Sequence, residues 1–377
     1  MKRSNGEGTI SRYKDGWRGR YTDPVTHQQR AVYAKEFPDC KKKLKDILAT
    51  IDNGVYVTPD KKNTTVGEWL NFWFQNYYCT RTKQSTQATT SQAIRNHLIP
   101  ALGKKQLQKL TTDDIQEMIN NMQTDGLAPA TISRHYKTLK QALKKAVQLG
   151  KIRFNPADNA ELPENRKTEI KFLSSDEQDA LKKIIPDNTS GRAIRFLLGT
   201  GMRVSELCGL KWTDLQSDGI HVERSNMTIE DWKNDGYINI EDIPKTSAGK
   251  RVIPTNKTLL SLLDIQRKEQ AKECLKTGRP FDRDGYIFAN AVGNPADRSN
   301  LGRAFRAMCK DAGIVGRGIH SLRHTFATNW IRKSPDIPAL SRILGHTDPA
   351  FTYKTYCHAD ADSMTKGMEM MEEYIAI

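Results

Sequence analysis

Two polar, turn-forming stretches constrain the fold of this chain more than any other feature. They read DNGVYVTPDKKNTT at 52–65 and NPADNAELPENRKTEI at 155–170. Each is rich in Pro, Asn, Asp or Gly and breaks the hydrophobic periodicity around it, as linkers do. The three blocks they separate have different periods, so a multidomain α+β protein is expected. Its domains would span 1–58, 64–155 and 168–377, with a C-terminal tail at 360–377. A chain of 377 residues is long enough for two or three cores.

The first block alternates with period two in GTISRY, GWRGRYTD and QRAVYAKEF, with turns at KDG and DPVTHQ. This predicts a small three-stranded sheet covered by a helix from about Asp39 to Ile51. Arg12, Arg18, Arg20 and Arg30 are expected on one basic face, and a ribbon of this width fits a DNA groove. A sheet whose arginines merely face solvent is the plainer alternative.

The second block switches to helical spacing. Thr65 and Glu68 form a capping pattern before Trp69, Leu70 and Trp73, and further helices are expected near 85–99, 111–124 and 129–149. The last carries a basic polar face of Arg134, His135, Lys137, Lys140, Lys144 and Lys145. Such a run is compatible with DNA binding and equally with a solvated helix.

The third block is mainly helical with short strands at GIHVER, YINIED and KRVIPT, giving a small antiparallel sheet. The bulk numbers suit a nucleic-acid partner: the formal net charge is +15, and basic residues recur in every block. No apolar run is long enough for a membrane span and no secretion signal is expected. The six cysteines are scattered without paired spacing, as in a reduced cytosolic chain without structural zinc.

Chemistry concentrates in four segments. In GTGMRVSELCGLKW the glycines lack the rest of a phosphate loop; Gly199 and Gly201 instead let helices approach, with Val204, Leu207 and Leu210 as core. Arg203 then needs an anion, either Glu206 or a ligand phosphate. IPKTSAGKRVIPT reads as a β-hairpin that either exposes Lys245 or holds it over a site. In HSLRHTFATNWI, His320 and Arg323 share a face, as two donors aimed at one phosphate would. His324 completes an i, i+4 pair, but the HExxH pattern of zinc sites is not met. The fourth segment, ILGHTDPAFTYKTYCH, adds His346, Tyr353 and Tyr356.

Taken in order, TGMRVSEL, PKTSAGKRVIP, HSLRHTFAT and ILGHTDPAFTYKTYCH closely resemble the catalytic domain of tyrosine recombinases, the lambda-integrase family. The resemblance runs over roughly 168–377, and the preceding domain order is similar to phage and conjugative-transposon integrases with an N-terminal arm-binding domain. It implies that Tyr356, ten residues after His346, is the nucleophile, and that Tyr353 packs. Arg203 and Arg323 would clamp the nonbridging phosphate oxygens, and Lys245 would protonate the departing 5′-oxygen. His320 would accept the tyrosine proton or orient the phosphate, His346 would be the last donor, and Glu206 would support the clamp from behind. His324 and His358 are left with structural or minor DNA roles.

The resemblance further implies cleavage and rejoining without metal, ATP or other cofactor. Arm and core attachment sites on double-stranded DNA would be bound, by the sheet and by the two larger domains clamping as a C. A homotetramer would exchange strands through a Holliday junction to integrate and excise a mobile element, helped by an excisionase or a host DNA-bending protein. Met364, Met368, Met371 and Ile375 in the tail would dock on a neighbouring protomer. A bacterial cytoplasmic location at the nucleoid goes with this reading. Two rivals are a type IB topoisomerase-like relaxing enzyme and a non-catalytic DNA-binding regulator. The chemistry has its own logic: a phenol of pKa about 10 is ionised to about one part in a thousand at pH 7. Nearby cations are expected to make it reactive and to stabilise the phosphorane.

Overall fold

By its contacts the chain divides into two units, Met1–Lys167 with Asp231–Asp235, and Thr168–Glu230 with Gly236–Ile377. The computed structural model describes residues 8–24, 26–53, 56, 63–165, 171–243, 249–334 and 336–356. Lys245, His358 and the methionine-bearing tail therefore lie outside the described residues.

In the first unit, β1 (Thr9–Tyr13), β2 (Gly16–Thr22) and β3 (Gln29–Ala34) form an antiparallel sheet in that order. Helix α1 (Phe37–Asp52) covers one face; a Cβ on Gly19 would touch Leu44, and Cys40 reaches the Val32 carbonyl. Register decides which side each arginine takes. Ser11 pairs with Arg18 and Arg18 with Tyr33, whereas Arg12 pairs with Trp17 and Tyr21 with Arg30. Side chains alternate along a strand, so Arg18 and Arg20 share the uncovered face with Tyr13 and Tyr33. Arg12 and Arg30 belong to the opposite face, contrary to the single basic face expected. Arg12 instead lies over the Trp17 ring, and Arg30 Nε donates to the buried Asp23 carboxylate at 2.6 Å.

The helical part begins with α2 (Val66–Trp73), capped reciprocally by Thr65 and Glu68, and runs on through one wide turn at Phe74–Tyr78. Then come α3 (Gln84–Ala93), a second wide turn at Ile94–Leu98, α4 (Ile99–Leu102), α5 (Thr112–Thr124) and α6 (Pro129–Gln148). Trp69, Leu70, Ile94, Ile115, Ile132 and Leu139 are fully buried among them, and Trp69 Nε1 donates to the Ala142 carbonyl at 3.0 Å. On α6, Arg134, Lys137 and Lys144 are exposed along one stripe. Lys140 pairs with Asp158 at 3.0 Å, and Lys145 lies over the Tyr77 ring. His135 does not belong to the basic face. It is buried, stacks on His97, and burial followed by the His97 and Arg134 charges lowers it to about 4.

The second unit opens with α7 (Ser175–Ile184), α8 (Thr189–Thr200) and α9 (Val204–Gly209). Strands β4 (Leu215–Gln216), β5 (Gly219–Val222), β6 (Ser225–Glu230), β7 (Tyr237–Asp242) and β8 (Arg251–Ile253) follow, then α10 (Lys257–Lys276) and α11 (Arg298–Asp311). Helices α12 (Ser321–Lys333), α13 (Ile337–Leu344) and α14 (Pro349–Tyr356) close the described chain. Phe196, Phe288 and Phe305 are wholly buried in the core. The turn of the hairpin expected at TSAG lies outside the described residues except for Gly249; among those described, β8 pairs with β5 and β7 pairs with β6. Pairing β8 with β5 sets Ile253 opposite Ile220, both buried, which orders the strands by apolar contact.

One ion pair joins three of these elements. Glu206 on α9 receives both terminal nitrogens of Arg251 on β8, at 2.7 and 3.1 Å, while Arg251 Nε donates to the Ile343 carbonyl of α13. Both side chains are about 95% buried. Burial alone would raise the Glu206 pKa, but the Arg251 hydrogen bond and the Arg251 and Arg203 charges outweigh it, leaving about 2.

Two expectations follow from this architecture. Gly201 ends α8 at φ +64°, where an added Cβ would sit 2.4 Å from Phe326 Cδ1. Gly201→Ala should cost the second unit roughly 1–3 kcal/mol, read by chemical denaturation. The Glu206 carboxylate, folded below its ordinary 4.5, contributes stability that is complete above that value and is lost as pH falls toward 2. Hydrogen-exchange protection factors in α9 and β8, which remove the intrinsic pH dependence of amide exchange, should fall over that window in the wild type and stay flat in Glu206→Gln.

Candidate active site

Four pieces of backbone bring the site together: the α8–α9 turn, the first turns of α12, the α13–α14 turn and the end of α14. At the first, Asn188 caps the start of α8 and Gly201 its end, so the chain reverses and sets Arg203 at the N-cap of α9. Glu206, one turn on, accepts the Arg203 backbone N–H at 2.9 Å and its guanidinium at 2.8 Å. The sequence suggested that Arg203 is buried, but its side chain is 39% exposed. Most of its fork is open, while Glu206 fixes one end.

Arg323 is the buried arginine. It projects from α12 at 2% exposure and donates to the Gly201 carbonyl at 3.0 Å and the Leu344 carbonyl at 2.7 Å. A third bond runs to His346 Nε2 at 2.9 Å. Three of its five N–H donors are thereby used, leaving two for a ligand oxygen or the Tyr356 hydroxyl. Burial first, then the Arg203 charge, lowers its pKa to about 10, so it stays cationic at neutral pH.

His346 follows Gly345, whose φ of +68° ends α13 and redirects the chain. Because an arginine only donates, His346 Nε2 must accept, so its proton sits on Nδ1 and goes to Thr352 Oγ1 at 2.7 Å. Burial and then Arg323, Arg203 and Arg251 push this imidazole to about 4, so it is neutral at neutral pH. His320 caps α12 near the surface; desolvation and the charges of Arg323, Arg203 and Arg298 lower it too.

Tyr356 ends α14 and packs against the small cluster of Ala327, Leu340 and Leu344. Its ring is parallel to that of His346, with centroids 6.4 Å apart, and its hydroxyl meets His324 Nδ1 at 2.9 Å. Burial raises its pKa more than Arg323 and Arg203 lower it. The two cations act in the expected direction, and it is burial that outweighs them. Tyr353, expected to pack, is 63% exposed.

The structure thus gathers Arg203, Glu206, His320, Arg323, His346 and Tyr356 in one pocket, with Lys245 outside the described residues. Sequence reasoning missed Arg251, Thr352 and the contact made by His324. The signal for Arg251 was present: it alternates with buried Ile253 in KRVIP, and an inward arginine there needs a buried carboxylate. Among the described residues no cluster of His, Cys, Asp or Glu could hold a metal ion, and no helix is long and apolar enough to cross a membrane.

Comparison with known proteins gives the family. The phage integrase family model matches residues 171–363, and the phage integrase N-terminal SAM-like domain matches 65–123. A tyrosine recombinase XerC-like protein of Caldanaerobacter subterraneus subsp. tengcongensis is 28% identical over 360 residues, 92% of each chain. The transposase from transposon Tn916 of Enterococcus faecalis is 27% identical over 291 residues, 72% of this chain and 69% of that one. The Tn1549 transposon integrase, solved in complex with a circular intermediate DNA, superposes with a TM-score of 0.67. It is 26% identical and covers 82% of this chain and 99% of that one. With a pocket of this composition and a family match over its second unit, the chain belongs to the phage integrase family of tyrosine recombinases.

Proposed function

We propose that this protein is a site-specific DNA recombinase that integrates and excises a mobile element, with Tyr356 as its nucleophile. The observation that supports the reading is the parallel packing of the Tyr356 ring on His346, which Arg323 holds by a 2.9 Å hydrogen bond. Tyr356 Oη attacks the scissile phosphorus and forms a 3′-phosphotyrosyl link, releasing a 5′-hydroxyl. Arg203 and Arg323 hold the nonbridging oxygens, for which planar guanidinium forks are suited. They bind the phosphorane more tightly than the ground state because it carries the extra negative charge. Glu206 fixes Arg203, and His320 and His346 complete the ring of donors. His346, whose Nε2 accepts from Arg323, can donate to the phosphate only once Arg323 turns to the phosphate and the imidazole carries a proton on Nε2.

Lys245 is the proposed general acid, since an alkoxide leaves poorly without a proton. The phosphotyrosyl ester conserves the energy of the phosphodiester, so rejoining needs no nucleotide. Arg18 and Arg20 on the sheet, and Arg134, Lys137 and Lys144 on α6, are proposed to contact phosphates. Lys140 and Arg12 contribute less, being engaged with Asp158 and Trp17. A tetramer on paired core sites, with separate domains for arm and core DNA and helped by accessory proteins, completes the reading. The Tn1549 relative, solved on a circular intermediate DNA, lends it support.

A nicked suicide substrate that loses the 5′-hydroxyl strand traps the covalent adduct. Tyr356→Phe should give none, Tyr353→Phe should trap as well as wild type, and Arg203→Ala should slow trapping about 10²–10³-fold. An adduct that persists in Tyr356→Phe and disappears in Tyr353→Phe would overturn the assignment.

A further inference from the structure

The Tyr356 hydroxyl does not bond to His320. Its hydrogen bond goes to His324 Nδ1 at 2.9 Å, across a tilted ring contact of 5.5 Å. His320 stands behind, edge-on to His324 with centroids 4.7 Å apart. From this geometry, and resting on Tyr356 as the nucleophile, we propose that His324 is the base that takes the Tyr356 proton.

The hydrogen-bond directions agree. Arg323, whose charge reaches the phenol, can only donate, so it does not compete for the hydroxyl proton. The hydroxyl proton is then directed at His324 Nδ1, and the ring carries its own proton on Nε2. The two histidines beside the tyrosine have opposite tautomers, because Arg323 forces His346 to be protonated on Nδ1. The groups facing His324 are His320 and Arg323 from α12, Tyr356 from α14, and His346 before it. Burial, then His320 and Arg323, hold His324 at about 4, so the lone pair is available in the resting site. A bound phosphodiester offsets the Arg323 charge and raises the proton affinity of the ring when a base is required.

The step balances. As the Tyr356 oxygen bonds to phosphorus, its proton passes to Nδ1, making an imidazolium. The bond from phosphorus to the 5′-oxygen breaks with its electron pair, and that oxygen takes a proton from the general acid assigned to Lys245. Religation reverses each transfer, and His324 returns the proton to the tyrosine oxygen.

Single-turnover cleavage of suicide DNA across pH tests this. His324→Asn keeps an acceptor near the Nδ1 position but cannot take the proton. It should cleave about 10²–10⁴-fold more slowly with unchanged DNA affinity. The acid limb of its pH profile should vanish, whereas His320→Asn keeps that limb. A 5′-bridging sulfur, which leaves without an acid, should not rescue His324→Asn. Wild-type-like cleavage, a surviving acid limb or rescue by sulfur would each overturn the proposal. An adduct formed by Tyr356→Phe would instead overturn the tyrosine assignment beneath it. Imidazole ¹⁵N shifts of the wild-type protein give a test independent of any variant: the Nε2–H tautomer at His324 is expected, and Nδ1–H contradicts it.

Discussion

A single buried carboxylate organises the second unit. Glu206 is held by Arg251 from β8 and in turn holds Arg203 at the start of its own helix. Removing either partner would leave a charge buried without compensation, which costs more than the pair itself contributes. The same group therefore has two effects: it ties α9, β8 and α13 together, and it aims the arginine that remains partly open to solvent. The main-chain carbonyls of Gly201 and Leu344 do the corresponding work for Arg323.

The charge left over explains why the site suits a phosphodiester. Arg203, Arg251 and Arg323 against Glu206 leave two positive charges uncompensated, and the histidines add none because burial and the arginines keep them neutral. A phosphodiester brings one negative charge and a phosphorane two, so the charge on the phosphoryl group best matches the two arginine charges in the transition state, while the proton released by Tyr356 rests on His324. That difference is the form catalysis takes here. Burial dominates at Tyr356, and its raised pKa keeps the phenol protonated.

Local signals were legible in the sequence. The capping pair at Thr65 starts a helix where its spacing predicts, and the ten residues from His346 to Tyr356 bring their rings face to face. What was not legible depends on distant partners. Arg251 finds its anion 45 residues away, and β8 finds β5 rather than the strand just before it. The face taken by Arg12 depends on a register that composition does not reveal. His135 looked like part of a basic stripe because it sits one residue from Arg134; one residue is about 100° around a helix, enough to bury it. His324 was read as a bystander for the opposite reason: its role appears only when the end of α14 returns to α12.

The central claim is that arginines fixed by Glu206 and the backbone act by neutralising charge on the scissile phosphate. Cleavage by wild type and Arg203→Ala should be compared on a phosphodiester and on a methylphosphonate, which lacks one nonbridging negative charge. The account predicts a large defect on the first substrate and a much smaller one on the second. Equal defects on both would contradict it.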